Sequence, residues 1–243
     1  MGAAVPPRAA AQVFVADPTA PELTPEDRHH LARVLRLTPG EVVIASDGHG
    51  ASTVCTFTGD GPLLEPTSAV TRHPRPVPAL TVGFAPAKGD RPEWVVQKLT
   101  ELGVDRIVPL ATDRSVVRWS GDRAEHALER LRRVAREAAA QSRRTWLPEV
   151  AEPLGLGAFA QEVGAGGGQL VLADQDGDPP TLERPSVAVG PEGGWSDAER
   201  AMGLARVTLG DGVLRAETAA VAAGTLLGGL RASLVADAAD HHR

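Results

Sequence analysis

The amino-acid sequence predicts an α/β protein in which a small β-rich domain precedes a larger domain with a mostly parallel sheet. In residues 79–210, short apolar runs alternate with helical segments, which is typical of a parallel sheet buried on both faces. Residues 13–75 instead combine strand and hairpin signals with one helix. The segment TRHPRPVP (71–78) holds three prolines and predicts the linker between the two domains.

The first domain is predicted to follow a Pro/Ala-rich tail over residues 1–12, which we expect to be disordered. Its helix is expected at TPEDRHHLARVLRL (24–37), because Thr24 is a suitable N-cap and Pro25 is favoured at the first helical position. The other predicted elements are a strand at VFVAD (13–17) and a hairpin of EVVIASD (41–47) and ASTVCTFT (51–58) that turns at DGHG (47–50).

The second domain is predicted to begin with a buried strand at ALTVGFAP (79–86). In the helix that follows, Asp90 is expected to be the N-cap, Glu93 to complete a capping box and Gly103 to end the helix. The remaining predicted elements are strands at RIVPL (106–110), LVLAD (170–174), SVAVG (186–190) and RVTLG (206–210), and an amphipathic helix at EHALERLRRVAREAAAQS (125–142).

The last predicted helix, ETAAVAAGTLLGGLRASL (217–234), is small and apolar on nearly every side. Such a helix packs closely on more than one face. We prefer a homodimer interface as its partner, although a helix buried within one chain would have the same pattern.

Composition excludes several classes of protein. Hydrophobic residues make up 42% of the chain, enough for a globular core. The single cysteine, Cys55, excludes an internal disulfide and a cysteine-based zinc cluster. No signal peptide or membrane-spanning segment is recognisable, and we expect a soluble, cytoplasmic protein that binds neither a membrane nor a metal.

The net charge of −6 conceals a basic strip in the middle of the chain. Residues 112–144 carry nine arginines and five acidic residues. The strip includes TDRSVVR (112–118) and overlaps AQSRRTWLPE (140–149). Arginine binds phosphate in a bidentate manner, so this strip is suited to RNA. A solvated helix face explains the charge alone equally well.

Two glycine-bearing turns follow predicted strands, at VAVGPEGGWSDAER (187–200) and LGDGVLRAETAA (209–220). Glycine allows a tight loop, but it also allows the backbone to approach a ligand. Ligands of open α/β sheets bind beyond the carboxyl ends of strands, so the two turns together favour one pocket wall. By contrast, GAGGG (164–168) is interpreted as a surface loop, and KGDR (88–91) with its following helix as a solvated stripe.

Several of these segments together resemble the RsmE family of 16S ribosomal RNA (uracil-N3) methyltransferases. The resemblance rests on segments in the family's order over residues 13–222: HHLARVLRL, KGDRPEWVVQKLTELGVDRIVPL, RSVVR, QSRR with LPE, VGPEGGWS and TLGDGVLRAETAA. It implies a PUA-like RNA-binding β-barrel over residues 13–75. It also implies a SPOUT domain over residues 76–243, with a deep trefoil knot, bound S-adenosylmethionine and a homodimer interface at the last helix.

The resemblance also implies roles for individual residues. Arg215, Glu217 and Thr218 match the family's motif beside the reacting uridine and the methyl sulfonium. From their chemistry we expect Arg215 to stabilise negative charge on the uracil, Glu217 to orient Arg215 or accept a proton, and Thr218 to cap the helix and contact the base. The implied cofactor-binding residues are Leu172, Gly190, Pro191, Glu192, Gly193, Gly194, Leu209, Gly210 and Leu214. The implied RNA-binding residues are Arg8, His30, Arg33, Arg36, Lys88, Arg114, Arg118, Gln141, Ser142 and Arg144.

Two other functions are less compatible with the sequence. A catalytically silent RNA-binding module would need the basic strip but neither glycine turn. A Rossmann-type enzyme would need G-x-G-x-x-G after its first strand, whereas residues 85–90 read Ala-Pro-Ala-Lys-Gly-Asp.

Overall fold

The computed structural model describes residues 9–59, 63–117, 119 and 121–236, which form two compact units. The first unit contains the chain up to Arg75 together with Ala139–Leu147, and the second contains Pro76–Ala138 and the chain from Pro148 onward. The sequence had placed residues 139–147 in the second domain, and the structure corrects this. Trp146 Nε1 donates a hydrogen bond to His73 O (3.1 Å), which ties the segment to the first unit.

In the residues that the structure describes, the first unit contains a five-stranded mixed sheet and the helix α1. Strand β1 pairs with β2 in parallel, while β2–β3, β3–β4 and β3–β5 are antiparallel. The DGHG hairpin is confirmed, since Ser46 pairs with Ser52 across the turn. The elements are β1 (Ala11–Phe14), α1 (Pro25–His29) with a π-helical turn over His30–Val34, β2 (Val42–Ser46), β3 (Ala51–Phe57), β4 (Leu64–Pro66) and β5 (Thr71–Arg72).

The N-cap of α1 is confirmed, because Thr24 Oγ1 accepts a hydrogen bond from Asp27 N (3.1 Å). The helix is shorter than predicted, since the π-helical turn ends at Val34 and Arg36 has a positive φ of 55°. That backbone conformation is unfavourable for a non-glycine residue and cannot continue a helix.

The second unit is an α/β domain with a parallel sheet, as the sequence predicted. The strand order is β12-β10-β11-β6-β7-β8, and β9 also pairs with β7. The elements are β6 (Thr81–Phe84), α2 (Arg91–Glu101), β7 (Arg106–Ala111), α3 (Asp122–Gln141), β8 (Glu149–Val150), β9 (Leu154–Gly155), α4 (Leu156–Ala165), β10 (Leu170–Asp178), β11 (Ser186–Val189), α5 (Asp197–Arg200), β12 (Arg206–Val207) and α6 (Ala216–Arg231).

The predicted capping box of α2 is wrong. Asp90 occupies the N-cap position, but its side chain makes no capping hydrogen bond. Glu93 instead forms an ion pair with Arg130 of α3. The predicted end of the helix is confirmed, because Gly103 has a φ of 89°. A tertiary ion pair has therefore replaced the local cap that the sequence favoured.

Helix α6 packs against α2 through small residues. A Cβ added to Gly224 would lie 2.7 Å from Leu99 Cδ2, and one added to Gly228 would lie 2.7 Å from Leu102 O. The small residues on this face of α6 thus serve packing within the chain. Among the described residues, no helix has the length and apolar character needed to cross a membrane.

Replacing Gly228 with alanine is expected to destabilise the second unit by about 1–3 kcal/mol, because the backbone of Leu102 must move to accommodate the methyl group. Urea denaturation measures the effect. Gly164 of α4 is the matched control, since a Cβ there meets nothing within 4 Å. Gly164→Ala should be neutral or stabilising by up to about 1 kcal/mol. Equal midpoints for the two variants would contradict the proposed packing.

Candidate functional site

A cavity of about 210 Å³ lies beside strands β10 and β11 of the second unit. Its lining comprises residues 173–175 of β10, Val189 with the turn that follows β11, Arg200 of α5, residues 208–210 and 212–214 after β12, and Ala216 and Ala219 of α6. Both glycine-bearing turns of the sequence therefore contribute to one cavity wall. Ligands of parallel sheets bind beyond the carboxyl ends of the strands, and this cavity lies at such a position.

Seven of the nine predicted cofactor-binding residues line this cavity. Leu172 does not, because it is buried in the core at 2% exposure and pairs with Ala188 of β11. Gly193 does not either, and its carbonyl oxygen accepts a hydrogen bond from Arg114 Nη1 (2.9 Å). The seven are Gly190, Pro191, Glu192, Gly194, Leu209, Gly210 and Leu214.

The structural requirement for glycine differs among the glycines that line the cavity. Gly194 has a φ of 66° and Gly210 a φ of 150°, and a Cβ added to either meets nothing within 4 Å. These two need glycine for the backbone and leave open space. A Cβ on Gly190 would instead lie 3.1 Å from the Trp195 ring, so Gly190 makes room for that ring. Trp195 is buried, and its Nε1 donates to Ala173 O (3.1 Å).

The turn after β11 is held by the segment that follows β7. The buried carboxylate of Glu199 accepts hydrogen bonds from Ser196 N (2.8 Å) and Asp113 N (3.0 Å). Ser196 is the N-cap of α5, and its Oγ also donates to Asp113 Oδ2 (2.5 Å). With the Arg114 contact to Gly193, these bonds fix the turn from outside the cavity.

The three predicted catalytic residues surround the start of α6. Arg215 occupies the N-cap position and is exposed, and Thr218 is exposed within the first turn. The expectation that Thr218 caps the helix is therefore wrong, because the helix already begins at Ala216. Of residues 215–218, Ala216 lines the cavity.

Glu217 pairs with a residue that sequence reasoning did not select. Arg91 Nη1 lies 3.6 Å from Glu217 Oε1 and 3.6 Å from Glu192 Oε1. The sequence had marked KGDR (88–91) but interpreted it as a solvated stripe. The expectation that Glu217 orients Arg215 has no contact to support it among the described residues.

Asp174 is a second residue that sequence reasoning missed. It lines the cavity from β10, and its side chain is 15% exposed. Arg200 Nη1 donates to Asp174 Oδ2 (2.5 Å), and Arg206 Nη1 lies 4.0 Å from the same oxygen. The sequence could have indicated Asp174, because this carboxylate ends the apolar run LVLAD (170–174) and so follows the buried part of a predicted strand.

The predicted RNA-binding residues are divided between the two units. Arg8 and Arg118 lie outside the described residues. Lys88 and Arg114 are exposed in the second unit. Those of the first unit are exposed or half-buried: His30, Arg33, Arg36, Gln141, Ser142 and Arg144.

Comparison with known proteins identifies the family. A model described as the RNA methyltransferase domain matches residues 73–228, and one described as the RNA methyltransferase PUA domain matches residues 23–61. The ribosomal RNA small subunit methyltransferase E of Synechocystis is 36% identical over 81% of this chain and 69% of its own length. The chain belongs to the ribosomal RNA small subunit methyltransferase E family. The Mycobacterium tuberculosis member is 34% identical over 88% of both chains.

Solved structures have the same fold as this member of the methyltransferase E family. A putative methyltransferase from Legionella pneumophila, in complex with the bound cofactor SAM, superposes with a TM-score of 0.76 at 27% identity. The match covers 90% of this chain and 97% of that one. The methyltransferase E of Neisseria gonorrhoeae, bound to S-adenosyl methionine, gives a TM-score of 0.73 at 24% identity, over 90% and 97% of the two chains.

Proposed function

We propose that this chain transfers the methyl group of S-adenosylmethionine to N3 of a specific uridine in 16S ribosomal RNA. The observation that carries the proposal is the single cavity formed by the turns GPEGG and LGDGVL in a chain of this family. A family model for an RNA methyltransferase PUA domain matches residues 23–61 of the first unit, which supports an RNA substrate.

The cavity residues fit S-adenosylmethionine. Open space beside Gly194 and Gly210 allows backbone groups to approach the cofactor, and apolar side chains such as Val189 and Leu209 suit an adenine ring. The carboxylate of Asp174 lines the same cavity and suits its hydroxyl and cationic groups. When bound there, S-adenosylmethionine supplies an activated methyl group on a sulfonium centre.

Arg215 is proposed to act on the uracil. N3 of neutral uridine carries a proton, so negative charge develops on the base oxygens as that proton leaves. The exposed guanidinium of Arg215 stabilises this charge in the way that an oxyanion hole does. Thr218, exposed within the first turn of α6, contacts the base.

Glu217 is proposed to take part through its unpaired oxygen. Its Oε1 faces Arg91, while Oε2 is buried and has no hydrogen-bond partner among the described residues. A buried, unsatisfied carboxylate oxygen is costly unless a ligand supplies a donor. Glu217 is therefore available to accept a hydrogen bond or a proton from the substrate.

RNA is proposed to contact both units. The exposed cations Arg33 and Arg36 lie in and just after the π-helical turn that follows α1, and Lys88 and Arg114 lie in the second unit. Arginine and lysine contacts to phosphate supply affinity without reading sequence. The uridine leaves its stack to reach the cavity, as in other enzymes that modify bases.

The finer fold and the assembly are also part of the proposal. We propose a SPOUT-type trefoil knot, because β12 lies at the sheet edge whereas α6 returns to contact β6 and β11. A Cβ on Gly177 would lie 2.3 Å from the Val207 backbone, so glycine allows β10 to pair this closely with β12. We propose a homodimer through the remaining face of α6, next to the exposed Leu234 and Val235. The proposed substrate places the protein in the cytoplasm.

Deleting the gene is expected to remove one 3-methyluridine from 16S ribosomal RNA, and a plasmid copy should restore it. Mass spectrometry of nuclease digests measures this nucleoside directly. The purified chain should also add a labelled methyl group to 16S ribosomal RNA from the deletion strain. Unchanged 3-methyluridine in that strain would refute the proposed reaction.

A further inference from the structure

Arg91 connects two of the elements that build the proposed active site. It begins α2, and its side chain is 45% exposed. Its Nη1 atom lies 3.6 Å from Oε1 of both Glu192 and Glu217. Glu192 belongs to the cavity-lining turn after β11, and Glu217 to the first turn of α6. We call these three residues the Arg91 bridge.

The two carboxylates of the bridge need a shared cation. Because both oxygens face one nitrogen atom, the two negative charges lie well within a Debye length of each other. The Glu217 side chain is only 14% exposed, so solvent screens their repulsion less than on an open surface. Without Arg91, this repulsion would push the turn and the start of α6 apart.

An arginine suits this position for a geometric reason. Its guanidinium is always charged and presents several donors in one plane, so it can face two carboxylates at once. Partly exposed ion pairs contribute little to global stability. We therefore explain the Arg91 bridge by its effect on geometry. It sets the distance between the cavity-lining turn and the start of α6, which carries Arg215 and Thr218.

We infer that Arg91 is a positioning residue for methyl transfer, which holds the turn after β11 against the start of α6 through Glu192 and Glu217. The inference rests on the proposed function. It also assigns a role to Glu192, which forms the cavity end of the bridge.

The test compares Arg91→Ala with the wild type in the full chain. With saturating S-adenosylmethionine, the single-turnover rate on 16S ribosomal RNA should fall about tenfold or more, because a small displacement of catalytic groups is costly. The thermal midpoint should remain within about 3 °C of the wild-type value, as expected for a partly exposed ion pair. Arg91→Lys keeps the charge and should retain part of the rate.

Two further variants separate positioning from general damage. Arg91→Ala combined with Glu192→Gln removes one of the two unpaired carboxylates and should recover part of the lost rate. Lys98→Ala is the matched control, since Lys98 of the same helix pairs with Glu101 (2.8 Å) outside the cavity lining, and it should keep the wild-type rate.

The inference is overturned if Arg91→Ala keeps the wild-type rate, if its loss follows the unfolded fraction, or if the double variant recovers nothing. Calorimetry keeps this result separate from the proposed reaction. Arg91→Ala should bind S-adenosylmethionine about threefold more weakly, a measurable change whether or not the RNA is methylated. A wild-type chain that makes no 3-methyluridine would instead refute the reaction itself.

Discussion

Replacing Arg215 with alanine is expected to slow methyl transfer strongly while leaving S-adenosylmethionine binding nearly intact. Arg215 is exposed at the N-cap of α6, and its neighbour Ala216 lines the cavity. Its guanidinium is thus placed to act on the substrate base, and removing such a charge-stabilising donor lowers the rate about 10²–10³-fold. Single-turnover methylation of 16S ribosomal RNA and calorimetry with S-adenosylmethionine measure the two effects.

A matched arginine distinguishes the role of Arg215 from a general loss of positive charge. Arg184 pairs with Asp178 (3.8 Å) and does not line the cavity. Arg184→Ala should therefore methylate at the wild-type rate. If Arg215→Ala also keeps its turnover, the assigned role is wrong. If cofactor binding is lost together with turnover, Arg215 instead helps to build the cavity.

Replacing Gly194 with alanine is expected to weaken S-adenosylmethionine binding by at least about tenfold, a cost of about 1.4 kcal/mol or more. Gly194 lines the cavity with a φ of 66° and open space where a Cβ would lie. The new methyl group would occupy space that the cofactor needs, and the backbone would resist the required conformation. Calorimetry of the folded variant measures the change in affinity.

Gly203 provides the control for backbone strain. It has a φ of 68°, a Cβ there also meets nothing within 4 Å, and it lies outside the cavity lining. Both alanine variants should lose about 1–2 kcal/mol of unfolding free energy, since each places an L side chain in the left-handed region. Only Gly194→Ala should bind the cofactor more weakly, and equal affinities would show that Gly194 is not in contact with it.

The sequence predicted the parts of the fold that have a strong local pattern. Apolar runs such as SVAVG (186–190) coincide with buried central strands, since a parallel strand covered on both faces is apolar throughout. Helix α4 and the two-residue strands β8 and β9 were not predicted. The two strands are too short for an alternating pattern to emerge, and α4 is rich in alanine and glycine, which mark an apolar helix face only weakly.

The residues of the candidate site also fall into those that a local sequence pattern predicts and those that it does not. Gly194 and Gly210 were predicted because a bare backbone after a strand is visible in the sequence. Arg91 and Asp174 were not, since their significance depends on ion-pair partners from distant parts of the chain. One local pattern gave a wrong prediction, because Glu93 forms an ion pair with Arg130 and not the expected capping box.

The chain leaves the first unit, enters the second, and returns to the first for Ala139–Leu147 before it leaves again. A fragment that ends at Arg75 would therefore lack Trp146. The ring of Trp146 packs against Gly50, since a Cβ added to Gly50 would lie 2.5 Å from it. One proteolytic cut or one recombination event cannot separate such units cleanly. Neither unit is therefore one continuous segment of the chain, and a fragment cut at a single point lacks part of one of them.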